Sequence, residues 1–271
     1  MITFVVRLGL LATLAAALIV AGCGDVSPKD KAPSAPVAVR VVGDEYAFVM
    51  PDRIKGGTVT MDIANSGREP HEFGLARIDP GKTAADVQKA LAKSGENAPK
   101  WLHDIGGVPP ITPGERLSIT RRLTPGTYAF ICFLPSPTGK PHYALGMQKA
   151  FTVAGDNGAR APRTDGAIVA GRKSISVVGA VRPGRRTYEL RNAAESPHGF
   201  FILSYAPGKT MRDLDRWAGK SFAGPAPARL VGGIQSIPGG TSVYMTADFE
   251  TGRTYTVLDD DGPSRTTFTP R

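Results

Sequence analysis

Cysteine is nearly absent from this chain: 271 residues contain two, Cys23 and Cys132. Once Cys23 is assigned to another use (below), Cys132 has no partner within the chain. Disulfide stapling is then excluded and the hydrophobic cores must supply stability. Histidine is almost as scarce, with only His71, His103, His142 and His198. Long apolar runs are missing apart from Leu8 to Val20, which is too short and too rich in small residues for a transmembrane span. Basic residues exceed acidic ones by a formal +9, yet they are scattered, and the densest spots, Arg121-Arg122 and Arg182 to Arg186, are short. No aromatic-basic motif accompanies them, which argues against nucleic acid as a partner. A solvated surface accounts for them, with an anionic lipid surface or an acidic partner as the other uses. Helical periodicity is scarce too, whereas 32 glycines and 23 prolines punctuate many short apolar-alternating runs. The composition points to an all-β architecture.

What is present begins at the N-terminus. Arg7 precedes the apolar run, which ends in Val20-Ala21-Gly22-Cys23. That tetrapeptide resembles the bacterial lipobox, an aliphatic residue and two small ones before the cysteine that becomes the lipidated N-terminus. The resemblance implies a signal peptide over 1–23, a lipid on Cys23 that makes the membrane a partner, and a mature chain held at the cell membrane outside the cytoplasm. Residues 24–36, with Asp-Val-Ser-Pro-Lys-Asp-Lys-Ala-Pro-Ser-Ala-Pro at 25–36, have almost nothing to bury and read as a flexible tether. The remaining residues, about 235, suffice for two ordinary domains.

The chain repeats itself at an offset of about 127 positions. Pro70-His71-Glu72-Phe73 answers Pro197-His198-Gly199-Phe200, and Pro80-Gly81-Lys82-Thr83 answers Pro207-Gly208-Lys209-Thr210. Ile105-Gly106-Gly107-Val108 answers Val231-Gly232-Gly233-Ile234, and Pro125-Gly126-Thr127-Tyr128 answers Thr251-Gly252-Arg253-Thr254-Tyr255. Several matches in one order imply duplication. The expected division is a domain over 37–154, a linker over 155–170 and a repeat over 171–271. Each half is expected to hold about seven short strands in a Greek-key sandwich. In the first half these include Val37 to Val42, Thr58 to Asn65, His71 to Ile78, Leu117 to Leu123, Tyr128 to Phe133 and Lys149 to Val153. In the second they include Ile175 to Val181, Thr187 to Asn192, His198 to Tyr205, Ser242 to Phe249 and Tyr255 to Asp259. An inserted helix follows Thr83 in one half and Thr210 in the other, with Asp86 and Asp213 placed to close capping boxes.

The first half contains, in order, His71, Cys132, His142 and Met147. This arrangement resembles the cupredoxins, small β-sandwiches that hold a blue copper ion for electron transfer. There, one histidine comes from an upstream strand, and cysteine, histidine and methionine come from the loop between the last two strands. The resemblance implies one copper ion with His71, Cys132 and His142 as equatorial ligands and Met147 axial, a set that suits both copper oxidation states. It also implies an apolar shell of Phe73, Tyr128, Phe130 and Phe133, and a redox or envelope protein as partner. Two features depart from the family. Nine residues separate Cys132 from His142, where a tight loop is usual, and Glu72 stands where an asparagine usually ties the ligand loop.

The competing reading is a metal-free envelope binding module. In it Cys132 is a buried small hydrophobe, Met147 fills the core, and His71, like its counterpart His198, is structural. His103 is a further candidate ligand, and Trp101 and Trp217 are expected to pack the helices onto their sheets. In the second half Asp259 takes the place of Cys132, and the run Asp259-Asp260-Asp261 is expected to be solvated. Multicopper oxidases and copper nitrite reductases also repeat this fold, but they need His-x-His pairs or a shared histidine set that this chain lacks. No enzymatic activity is therefore expected.

Overall fold

A computed structural model describes residues 35–95, 97–259 and 264–271. The expected signal peptide, Cys23, nearly all of the tether, and Asp260 and Asp261 lie outside the described residues. The alternation in the sequence becomes strands, two short helices and one 3-10 turn. The first half contains β1 (Val37–Asp44), β2 (Ala47–Val49), β3 (Arg53–Lys55), β4 (Gly57–Asn65), β5 (His71–Ile78), α1 (Ala84–Ser94), β6 (Leu102–Asp104), β7 (Val108–Ile111), β8 (Arg116–Leu123), β9 (Gly126–Ile131) and β10 (Gln148–Ala154). The second contains β11 (Gly166–Gly171), β12 (Ser174–Val178), β13 (Gly184–Asn192), β14 (His198–Tyr205), α2 (Met211–Ala218), β15 (Ala228–Ile237), β16 (Ser242–Phe249), β17 (Tyr255–Asp259) and β18 (Arg265–Phe268). The architecture is all-β.

Three sheets share these strands. An eight-stranded sheet in the order β12-β11-β13-β16-β8-β4-β1-β2 runs through both halves, joined where β16 pairs antiparallel with β8. Facing it are the sheet β3-β10-β9-β5-β6, with β7 also on β5, and the sheet β15-β14-β17-β18. Val41, Ile63, Phe73 and Phe130 of the first half and Leu190, Phe200, Tyr255 and Val257 of the second belong to one buried apolar cluster. Burial of this kind contributes about 25 cal/mol per Å² of apolar surface, and Cys132, the cysteine among the described residues, is free.

The pairings of one half recur in the other. β1 lies parallel to β4 as β11 does to β13, and β5 pairs with β9 as β14 does with β17. Gly74 faces Ile131, and Phe201 faces Leu258, so Cys132 and Asp259, the next residues in each chain segment, occupy equivalent places. A register shift falls between His71 and Phe73 in one half and between His198 and Phe200 in the other.

Three expectations need correction. The parallel neighbour of β13 is β11, inside the expected linker 155–170, and β12, near the expected strand Ile175 to Val181, is the antiparallel partner of β11. The rest of that segment is strapped down as well. The Asn157 amide accepts from Thr58 N at 3.2 Å and donates to Thr58 O at 2.6 Å, standing in for a strand neighbour. The stretch between each inserted helix and the next expected strand, rich in glycine and proline and assigned no strand from sequence, contains β6 and β7 in the first half and the long β15 in the second. Its glycines sit at the irregular register of that ladder, as bulges favour, and disguise its strand character.

Both capping boxes form: Thr83 N donates to Asp86 at 2.8 Å, and Thr210 N donates to Asp213 at 2.9 Å. Among the described residues no helix is long and apolar enough to cross a membrane.

Candidate metal centre

His71 opens β5, and Cys132 directly follows β9, the strand paired with β5. The register therefore brings these two residues to the same end of the sheet. His142 returns to them by way of the nine intervening residues, which fold into a small hairpin of their own. Pro135 and Pro141 form a bridge, Ser136 N donates to Lys140 O at 2.8 Å, and Gly139 N donates to Ser136 O at 2.8 Å. Two further backbone bonds close it, His142 N to Leu134 O at 2.8 Å and Tyr143 N to Cys132 O at 2.9 Å. A 3-10 turn, His142–Leu145, then ends at Gly146, whose φ of 116° is open to glycine alone without strain. Met147 follows, donating its N–H to His142 O at 2.9 Å and accepting Cys132 N at 3.1 Å. The unusual loop length thus leaves the ligand order intact.

The four side chains converge. His71 Nδ1 lies 3.1 Å from His142 Nδ1, and Cys132 Sγ lies 3.4 Å from the same nitrogen. One donor atom each from His71, Cys132 and His142 lies within 4.8 Å of the others. All three residues and Met147 are 0% exposed. Met147 reaches the group over Gly43: a Cβ there would stand 3.2 Å from Met147 Cε, 3.5 Å from His71 Cδ2 and 2.9 Å from the Phe73 ring. No larger residue fits beneath them. The Gly43 carbonyl is occupied by Ser66 N at 2.8 Å.

A second layer orients the donors. His142 Nε2 meets Glu69 Oε2 at 3.0 Å, and Tyr46 donates to the other Glu69 oxygen at 3.0 Å. With its Nε2 proton on that carboxylate, His142 presents the lone pair of Nδ1 to the centre. Buried Asn65 donates to Glu69 O at 2.8 Å and Ile111 O at 2.9 Å and accepts Gly67 N at 2.9 Å, pinning the turn into β5. Glu72 performs the tie that its identity seemed to forfeit. Its Oε1 accepts the N–H of Phe133, next to Cys132, at 2.6 Å, and its Oε2 accepts from Gln235 of the second half at 3.0 Å.

Burial controls the protonation of the metal-free site. It lowers the His71 pKa to about 4, with the neighbouring His142 adding to the effect. It lowers His142 as well, against the pull of Glu69, and it pushes the Cys132 thiol well up, helped by Glu72. Two neutral imidazoles and a thiol thus meet at His142 Nδ1, whose lone pair can accept from His71 or Cys132, while His71 Nε2 has no hydrogen-bond partner among the described residues. Two nitrogens, a thiolate-forming sulfur and a thioether are the donors that fit one copper ion.

The apolar surroundings differ in part from expectation. Phe73 and Phe130 belong to the core that contains Cys132 and Met147, joined by Phe48, whose ring lies 5.1 Å from Phe73 and 5.7 Å from Phe130. Phe133 turns to the opposite face and packs on Tyr143 at 5.4 Å, while Tyr128 stacks on Phe151 at 5.7 Å further along β9. His103 is not part of the centre; it is half exposed and pairs with Asp79 at 2.8 Å. In the second half, His198 Nδ1 meets both Asp259 oxygens at 3.0 Å, and Ser196 Oγ lies 3.3 Å from His198 Nε2.

No protein-family model matches the chain, and no curated protein matches it. Among solved structures it is similar to a dithionite-reduced auracyanin from the photosynthetic bacterium Roseiflexus castenholzii. The identity is 26% over 45% of this chain and 99% of that one, with a TM-score of 0.30. Auracyanin A, a blue copper protein of the green thermophilic photosynthetic bacterium Chloroflexus aurantiacus, matches at 26% identity over 44% of this chain and 100% of that one, with a TM-score of 0.31. A copper nitrite reductase from Nitrosomonas europaea matches at 14% identity over 88% of this chain and 94% of that one, with a TM-score of 0.25. Overlaps this loose decide nothing about the centre, which stands on its own donors.

Proposed function

We propose that the chain is a lipid-anchored protein outside the cytoplasm, built of two tandem cupredoxin-like Greek-key sandwiches, the second opening at β11. The first holds one copper ion and serves as an electron carrier or copper-handling protein. The observation that carries this reading is the convergence of His71, Cys132 and His142 within 4.8 Å at a fully buried point beside Met147. Copper held there would supply a one-electron couple, with soft sulfur donors suited to the reduced ion and imidazoles to both states. The chain's own part is to hold geometry and exclude water. Glu69 and Tyr46 keep His142 in one tautomer, Glu72 and Asn65 brace the two approaches to the centre, and Phe48, Phe73 and Phe130 keep it dry. A carrier rather than an enzyme is favoured because the other two histidines are engaged elsewhere, His103 with Asp79 and His198 with Asp259. The anchor rests on Val20-Ala21-Gly22-Cys23.

The test uses the protein without residues 1–23. Addition of Cu(II) should give a strong visible thiolate-to-copper band that disappears in Cys132→Ser. Absence of the band, together with stability unchanged by copper, would leave the metal-free binding module as the reading. For the anchor, Cys23→Ala should move the whole chain from the membrane fraction to the soluble one.

A further inference from the structure

The duplicated layer of helix on sheet is closed in one half and open in the other. In the first, Val87 and Leu91 of α1 are buried at 1% and 2% exposure against Ala76, Ile78, Leu102 and Ile131. In the second, α2 starts from the same capping box, yet none of its residues is buried. The substitutions explain the difference. At the repeat offset Ala218 replaces Leu91. The register that pairs Ile78 with Leu102 pairs Tyr205 with Ala228, so a second leucine is also replaced by alanine. Leu203 and Leu214, at the places of Ala76 and Val87, return bulk elsewhere, so the loss is confined to the end of α2 and the facing start of β15, where the backbone closes the space only in part. The result is a cavity of about 610 Å³ between α2 and the sheet β15-β14-β17, a size typical of small-molecule sites.

We propose that this cavity binds a small apolar molecule carrying an amine or quaternary ammonium group. Its walls are apolar, among them Phe201, Leu203, Leu214 and Leu258. At one side stand Trp217 and Phe222, their rings edge to face at 4.9 Å, and aromatic faces of this kind attract cations. Phe222 and its neighbour Ser221 hold φ values of 62° and 53°, strained for such residues, and the strain sets Phe222 against the indole. Glu115, Asp215 and Asp259 also line the space, against Arg265 as the cation among the described lining residues. This acidic lining contrasts with a chain of net charge +9. Asp259 is engaged with His198 and Glu115 accepts the Thr112 N–H at 2.8 Å, which leaves Asp215 as the carboxylate to meet a cation. The site is independent of copper, and nothing in its argument requires the metal centre.

The test follows Trp217 fluorescence in the whole chain, copper-free, in phosphatidylcholine nanodiscs, with Trp101→Phe so that one indole remains. Dodecyltrimethylammonium should give a saturable shift and bind about tenfold more tightly than dodecanol or laurate. Ala218→Leu with Ala228→Leu, which restores the leucines of the first half, should abolish the response without lowering the melting temperature. Asp215→Asn, on the exposed side of α2, should leave the fold intact and erase the preference for the cation. Equal binding of all three probes, an unchanged response in the double-leucine protein, or no saturable signal would each overturn the proposal.

Discussion

Asn65 and Asn192 form a matched pair that separates holding the fold from holding the metal. Asn65 donates to Glu69 O and Ile111 O at 2.8 and 2.9 Å, and Asn192 donates to Ser196 O and Ile237 O at 2.8 and 3.0 Å. Each side-chain oxygen accepts one backbone N–H, from Gly67 or from Ala194, at 2.9 Å. Both asparagines are buried, at 2% and 0% exposure. Three bonds to backbone groups, each contributing about 1 kcal/mol net, put the cost of alanine at about 3 kcal/mol at either position. The consequences diverge at the metal, because only Asn65 fixes Glu69, which in turn holds His142 Nε2 at 3.0 Å. Asn65→Ala should therefore weaken copper binding about 10- to 100-fold, whereas Asn192→Ala should leave it unchanged. Urea unfolding of the metal-free protein measures the first quantity, and competition against a chelator measures the second. Equal loss of copper affinity in both variants, or none in Asn65→Ala despite the expected destabilisation, would refute the reasoning.

Met147→Leu should keep the thiolate-to-copper band and raise the reduction potential, since an apolar side chain in place of a donor disfavours the more highly charged oxidised ion; cyclic voltammetry reads the shift, and a lowered or unchanged potential contradicts an axial role. Copper uptake should release the Cys132 proton, because burial keeps the thiol protonated at neutral pH. Apparent affinity should then rise about tenfold per pH unit in that range, and a pH-independent affinity would show that the thiol is not a ligand. Stability of the metal-free protein should fall on acidification, because an unfolded imidazole takes its proton near 6.5 while folded His71 resists to about 4. Between these values the unfolded chain binds more protons, so stability is full above the upper value and drops by roughly 3 kcal/mol at the lower. Urea midpoints of the parent and His71→Gln across this range isolate the contribution, and parallel pH profiles would count against it.

Much of this site was legible because its donors are chemically rare. A lone cysteine followed by histidine and methionine needs few alternatives, and β5 and β9 form where their alternation suggests, although their pairing with each other does not follow from it. Phe133 was misplaced by the resemblance, which put it in the apolar shell, whereas strand parity sends Phe130 and Cys132 to one face and Ile131 and Phe133 to the other. The hairpin between Cys132 and His142 was foreshadowed by Pro135, Pro137, Gly139 and Pro141, which are turn residues rather than random spacing. Glu69, Tyr46 and Phe48 carried no such signal. They reach the centre from separate segments through register and loop packing, and neither composition nor periodicity encodes that. β15 was missed for a different reason, since glycines that serve a bulge look the same in sequence as glycines that serve a loop.

The second half shows how little the scaffold itself decides. It has a histidine at the equivalent strand start, the same register shift beside it, and the same asparagine network before it. Three donors differ: Asp259 stands in place of Cys132, and neither a histidine nor a methionine follows it where the first half has His142 and Met147. In the first half the position after the paired strand is a thiol that burial keeps neutral, so no charged partner ties up the imidazoles opposite it. In the second, Asp259 meets His198 Nδ1 directly through both oxygens, and the nitrogen that would face a metal is already used. A soft ion would have to displace a buried hydrogen-bonded pair and accept a hard donor in exchange. The fold therefore offers the place, and Cys132 after β9 with His142 and Met147 beyond it, or Asp259 at the end of β17 with neither, determine whether that place is left poised for copper or filled by a hydrogen bond.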